Sequence, residues 1–74
     1  MSIEPVNTDQ VLVNGEPHPI RGPLAVADLI KGLGLSGRRL AVEVNGEIVP
    51  RSDHVSRRLQ PGDRVEVVAA IGGG

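Results

Sequence analysis

Cysteine, phenylalanine, tyrosine and tryptophan are all missing from the 74 residues. Without cysteine the chain can build no disulfide, no thiolate nucleophile and no thiolate-ligated metal site, so its fold must stand on packing alone. Without aromatic rings it offers no stacking platform for single-stranded nucleic acid. A formal net charge of -1 also lacks the positive footprint that phosphate backbones select, so no nucleic-acid partner is expected. No run approaches the ~18 apolar residues that cross a bilayer. The opening "MSIEPVNTDQ" is polar and acidic with an early proline, unlike a secretory signal. These absences predict a soluble, cytoplasmic protein that does not engage membranes.

What is present is enough for one small domain. Apolar residues make up 39% of the chain and come almost entirely from Val, Leu, Ile and Ala. A domain of this size buries only about 60% of the surface its unfolded chain exposes, which leaves little room for an internal active site. Residues 1–9 show no periodicity and read as a flexible N-terminal arm, residues 10–71 as the domain, and residues 72–74 as a flexible tail of three glycines.

Within the domain, Gln10 to Val13 form a first strand that turns at Asn14-Gly15, a dipeptide that favours the positive φ angles of a tight type I′ hairpin. The return strand, Glu16 to Ile20, carries Pro17 and Pro19, which lack amide donors and so place it at a sheet edge. Val26, Leu29, Ile30 and Leu33 share one face of a helix expected over residues 25–33, with Gly34 as its stop and no Ser, Thr or Asp to cap its start. In "LAVEV", Leu40, Val42 and Val44 alternate with Ala41 and Glu43, the signature of a half-buried strand. A second Asn-Gly turn at Asn45-Gly46 returns the chain through Glu47 to Val49, and Pro50 ends the pairing. Ser52 or Asp53 is expected to cap a short helical turn, Leu59 to anchor alone in the core, and Pro61-Gly62-Asp63 to turn into a last strand, Arg64 to Ala69. The short apolar first and last strands are expected to pair in parallel at the sheet centre, with the helix packed across one face.

Candidate catalytic groups are sparse. His18, between two prolines, and His54 read as solvated loop residues, and the serines have no base at suggestive spacing. "GLGLSG" follows a helix where a phosphate loop would open one. Arg38-Arg39 and Arg57-Arg58 read as solvated loop faces, with an acidic partner surface as the alternative. No catalytic residue and no metal ligand is assigned.

The remaining feature is the end, "VEVVAAIGGG". An ionised α-carboxylate, with a reference pKa near ~3.5, resists nucleophilic attack and must be activated, for example as an acyl-adenylate. To reach a nucleotide inside another enzyme it needs a thin thread, and glycine has no Cβ to obstruct one. Gly74 is then the group activated, Gly72 and Gly73 the thread into a partner's active site, and Val68, Ala70 and Ile71 a small apolar docking patch beside it. Packing of Ile71 against the helix end is an equally weighted alternative. Three residues span at most about 10 Å, so the body must dock close to the partner's mouth.

Size, strand order and the terminal Gly73-Gly74, with "AVEVNGEIVPR" from Ala41 to Arg51, "VADLIKGLGL" and "GDRVEVVAAIGGG", resemble the ubiquitin-like β-grasp sulfur carriers, in particular the ThiS family of thiamine biosynthesis. The resemblance covers roughly residues 10 to 74, with a longer N-terminal arm and with Leu24-Ala25 where members commonly show a threonine helix cap. It implies an α+β fold with a mixed sheet of four to five strands and one main helix. It also implies a carrier, not an enzyme, which is a cosubstrate of an E1-like adenylating enzyme (ThiF type) and of thiazole synthase (ThiG type). The Gly74 carboxylate would be adenylated, then converted to a thiocarboxylate with sulfur from a persulfide donor, for thiazole formation. No bound cofactor is implied, ATP being used by the partner, and the free protein is expected to be monomeric. The related carrier of molybdopterin synthesis, a ubiquitin-like protein modifier and a plain interaction domain are the alternatives; the Val44 to Arg51 segment favours thiamine.

Overall fold

The computed structural model describes residues 9–69. The expectations for the arm before Asp9, and for Ala70, Ile71, Gly72, Gly73 and Gly74, lie outside the described residues.

Among the described residues, five strands in one sheet, two short strands in a second and one α-helix make the body. Strand β1 (Gln10–Val13) turns through Asn14-Gly15 into β2 (Glu16–Pro19), and strand β4 (Leu40–Val44) turns through Asn45-Gly46 into β5 (Glu47–Ile48). Both turns carry the consecutive positive φ angles that Asn-Gly provides, +51° and +85° at the first and +53° and +86° at the second. The last strand, β7 (Arg64–Ala69), runs between them in a sheet of order β2-β1-β7-β4-β5. It pairs in parallel with β1 and antiparallel with β4, so the first and last strands meet at the centre as expected, and the proline-bearing β2 lies at an edge.

Helix α1 (Val26–Gly32) covers one face of this sheet. Its buried residues, Val26, Leu29 and Ile30, pack with Val11, Val13, Val42, Val44, Val65 and Val67 from the strands. Each such side chain contributes about 1.5–3 kcal/mol through burial. Five valines, at positions 11, 26, 42, 44 and 65, are the largest side chains that are fully buried. β-Branched side chains suit the pleated face that four of them occupy, so the core closes without an aromatic ring.

The entry to α1 is where the structure adds most. Its first amides are not satisfied by a capping side chain at Ala25 but by the carbonyls of a distant loop: Val26 N–H donates to Arg57 O at 2.9 Å and Ala27 N–H to His54 O at 2.8 Å. Asp28 reaches back to accept the Ala25 N–H at 3.1 Å. The loop is held there by a two-stranded antiparallel ladder of β3 (Leu24–Ala25) with β6 (Arg58–Leu59), which the sequence does not announce. Leu59 is buried in the core as expected, but as a strand residue of this ladder and not as an isolated anchor. Leu33 becomes the C-cap, Gly34 (φ +77°) sends its N–H to Lys31 O, and Leu35 N–H returns to Ile30 O at 3.0 Å. This is a Schellman stop built on the glycine.

Two further expectations are corrected. Ser52 and Asp53 do not cap a helical turn; they sit inside a 3-10 turn (Arg51–Asp53) that starts after Pro50 with no side-chain cap. His18 is a half-buried residue of strand β2, not a loop residue, because β2 pairs through it with Val11 despite the flanking prolines.

Candidate functional site

Strand β7 delivers the chain toward the glycines, so its last described residues define the candidate site. Alternation turns Val65 and Val67 into the core and leaves Glu66 and Val68 on the helix-free face. Val68, one of the three residues expected to dock a partner, is 58% exposed. The register sets Ala41 beside it, Glu43 opposite Glu66, and Ile48 of β5 opposite Glu43. The open face thus carries two exposed apolar side chains, Val68 and Ile48, around a pair of carboxylates. Like charges directly opposite one another weaken a strand pair, so this arrangement is not one that local stability favours.

What fixes β7 in place was not visible as such in the sequence. Asn14 Oδ1 accepts the Val67 N–H at 2.9 Å while its Nδ2 donates to Val67 O at 3.1 Å, so the side chain takes over the pairing where β1 ends. At the other end, Asn45 Oδ1 accepts the Arg64 N–H at 2.9 Å and its Nδ2 donates to Asp63 Oδ1 at 3.0 Å. Asp63 Oδ2 in turn accepts the Gln60 N–H at 2.8 Å, closing the Pro61-Gly62 turn. The two Asn-Gly dipeptides therefore do more than turn the chain: each sends its asparagine side chain onto the central strand. Their shared Asn-Gly motif, on the two strands that flank β7, was the available signal.

No group of three or more His, Cys, Asp or Glu residues is arranged to hold a metal among the described residues. His54 is half-buried and donates from Nε2 to the Val49 carbonyl at 3.2 Å, which gives it a structural partner. No helix among the described residues is long and apolar enough to cross a membrane. Among the described residues the candidate site comprises the end of β7 and the mixed apolar and acidic face beside it.

Comparisons with known proteins agree with this geometry. The family model described as the ThiS family matches residues 11–74. The sulfur carrier protein ThiS of Thermus thermophilus is 36% identical over 64 residues, covering 86% of this chain and 98% of that one. A thiazole synthase of Paramagnetospirillum magneticum is 40% identical over 65 residues, 88% of this chain. The chain spans only 20% of the length of the thiazole synthases it matches. The crystal structure of the thiamine biosynthesis protein ThiS from Geobacter metallireducens superposes with a TM-score of 0.75 at 32% identity, covering 88% of this chain and 99% of that one. With a mixed five-stranded sheet, one covering helix and a family match that runs through Gly74, the chain has the ubiquitin-like β-grasp fold and belongs to the ThiS family.

Proposed function

We propose that this protein is a sulfur carrier of thiamine biosynthesis that works through the carboxylate of Gly74. A carboxylate oxygen attacks the α-phosphorus of ATP inside an E1-like adenylating enzyme, and pyrophosphate leaves. The terminal sulfur of a persulfide then attacks the acyl carbon as AMP departs. A thiol cleaves the resulting S–S bond, forming a disulfide and freeing the thiocarboxylate, which donates its sulfur to thiazole synthase. Catalysis belongs to the partners, and the carrier is consumed and regenerated.

The observation that carries this reading is the family match through Gly74, joined to a body that pairs β7 with β4 through Ala69, clamps it with Asn14 at Val67 and leaves Val68 exposed. The thiazole synthases favour the thiamine assignment over the molybdopterin one: in those relatives a segment like this chain lies within a longer protein of that name. Gly72 and Gly73 serve as the thread, and Val68, Ala70 and Ile71 as the docking contact.

Exchange of labelled pyrophosphate into ATP tests the first step. The adenylating enzyme should catalyse exchange only when the carrier is present, and appending one leucine after Gly74 should abolish it. Exchange that is unchanged by the blocked end would overturn the assignment of Gly74.

A further inference from the structure

A second feature lies on the helix side of the sheet. Between α1, the loop that follows it and the 3-10 turn is a cleft of about 170 Å³, with Ile30 and Leu40 as an apolar wall and Ser36, Arg38, Arg51 and His54 around it. None of the residues lining it is acidic. In a chain of net charge -1 this is uneven, because four other surface concavities each carry at least one carboxylate: Glu43 and Glu66, Glu47 and Asp53, Glu66, and Glu16.

The basic side chains stand on ordered backbone. Arg38 N–H donates to Leu35 O at 3.2 Å, and Arg51 O accepts the His54 N–H at 3.1 Å. His54 is tied at both ends, through Nε2 to Val49 O and through its own carbonyl to the Ala27 N–H. The cleft also borders the end of β7: its wall residue Leu40 is the register partner of Ala69, the last described residue of that strand.

We propose that this cleft seats a carboxylate side chain from an acidic loop of a partner protein, held between Arg38 and Arg51. Guanidinium groups match the two oxygens of a carboxylate bidentately. The apolar wall from Ile30 and Leu40 favours a side chain with methylene groups to bury; a free phosphate, polar on every side, gains nothing from it. Seated there, the partner loop would fix the orientation of the carrier body next to the strand end. Naming that partner as the adenylating enzyme rests on the function proposed above, whereas the binding itself does not.

The test uses the full chain, isotopically labelled, in a nuclear magnetic resonance titration at constant ionic strength. The probe is a blocked peptide of alternating glutamate and glycine, and inorganic phosphate is the comparison. The peptide should shift the backbone amides of Ser36, Gly37, Arg38, Arg51 and His54 saturably, and phosphate at the same concentration should not. Arg38→Glu with Arg51→Glu should weaken peptide binding by about tenfold or more, since like charges then face each other. Arg57→Glu, whose arginine is not among the lining residues, should leave it unchanged. If the double reversal loses its folded spectrum, Arg38→Ala with Arg51→Ala replaces it. The proposal fails if the peptide gives no saturable shift, if it binds the double variant equally well, or if phosphate binds more tightly than the peptide. The pyrophosphate exchange is a separate experiment, so the proposed function and this site can fail independently.

Discussion

Replacing Asn14 measures how much of the central strand's order comes from one side chain. Asn14→Ala removes both bonds to Val67, the 2.9 Å acceptor contact and the 3.1 Å donor contact. Each such bond is worth about 1 kcal/mol net. It also puts a Cβ-bearing residue without a polar side chain at φ +51°, a conformation that costs an ordinary L-residue roughly 1–2 kcal/mol. The sum is about 3–4 kcal/mol. A domain of 74 residues is stable by about 4–11 kcal/mol in all, so alanine should remove a large part of the total. Asn14→Gly separates the terms, because glycine tolerates the positive φ and loses only the side-chain bonds, for a cost of about 2 kcal/mol. Urea denaturation followed by circular dichroism reads both variants; with a slope near ~1 kcal/mol/M the midpoints should fall by roughly 3–4 M and 2 M. Hydrogen exchange adds a local readout, since the Val67 amide should lose protection in Asn14→Gly more than the amides that donate within the β4·β7 ladder do. If Asn14→Gly is as stable as the parent and Val67 stays protected, the side chain does not extend the ladder, and the reasoning fails.

Gly34→Ala should cost about 1 kcal/mol in the same melt: a Cβ there meets nothing within 4 Å, so only the positive φ of +77° is penalised. A loss above about 3 kcal/mol would mean that the helix stop is packed in a way the structure does not show. Val68→Glu, at a position 58% exposed, should change stability by no more than about 0.5 kcal/mol and yet weaken association with the adenylating enzyme in a calorimetric titration. Unchanged affinity would remove Val68 from the docking contact.

The sheet was legible because its information is local. Alternation in "LAVEV" and "RVEVVA", together with two Asn-Gly turns, fixes faces and hairpins, and prolines at positions 17 and 19 push β2 to an edge. The helix face from Val26 to Ile30 follows equally from its spacing. What stayed hidden depends on residues far apart in the chain. Two-residue strands such as β3 and β6 have no periodicity to detect, and their pairing brings Leu24 to Leu59. The helix entry looked uncapped because its acceptors are backbone carbonyls of His54 and Arg57, which carry no side-chain signal. Arg38 reads as half of a solvated basic pair with Arg39 until the fold sets it around one cleft with Arg51. The candidate docking residue Val68 was legible from strand parity, whereas the asparagine clamps on β7 were not, since Asn-Gly already had a sufficient explanation as a turn.

Sulfur transfer by this carrier requires that the Gly74 carboxylate become a thiocarboxylate. Intact-mass spectrometry of the full chain, after incubation with ATP, a persulfide donor, a thiol and the adenylating enzyme, tests it most directly. The expected result is a mass gain equal to one oxygen exchanged for sulfur, located by fragmentation at Gly74 and missing when ATP is withheld. An unchanged mass, with the enzyme shown to be active on another carrier, or a gain located anywhere else in the chain, would contradict it.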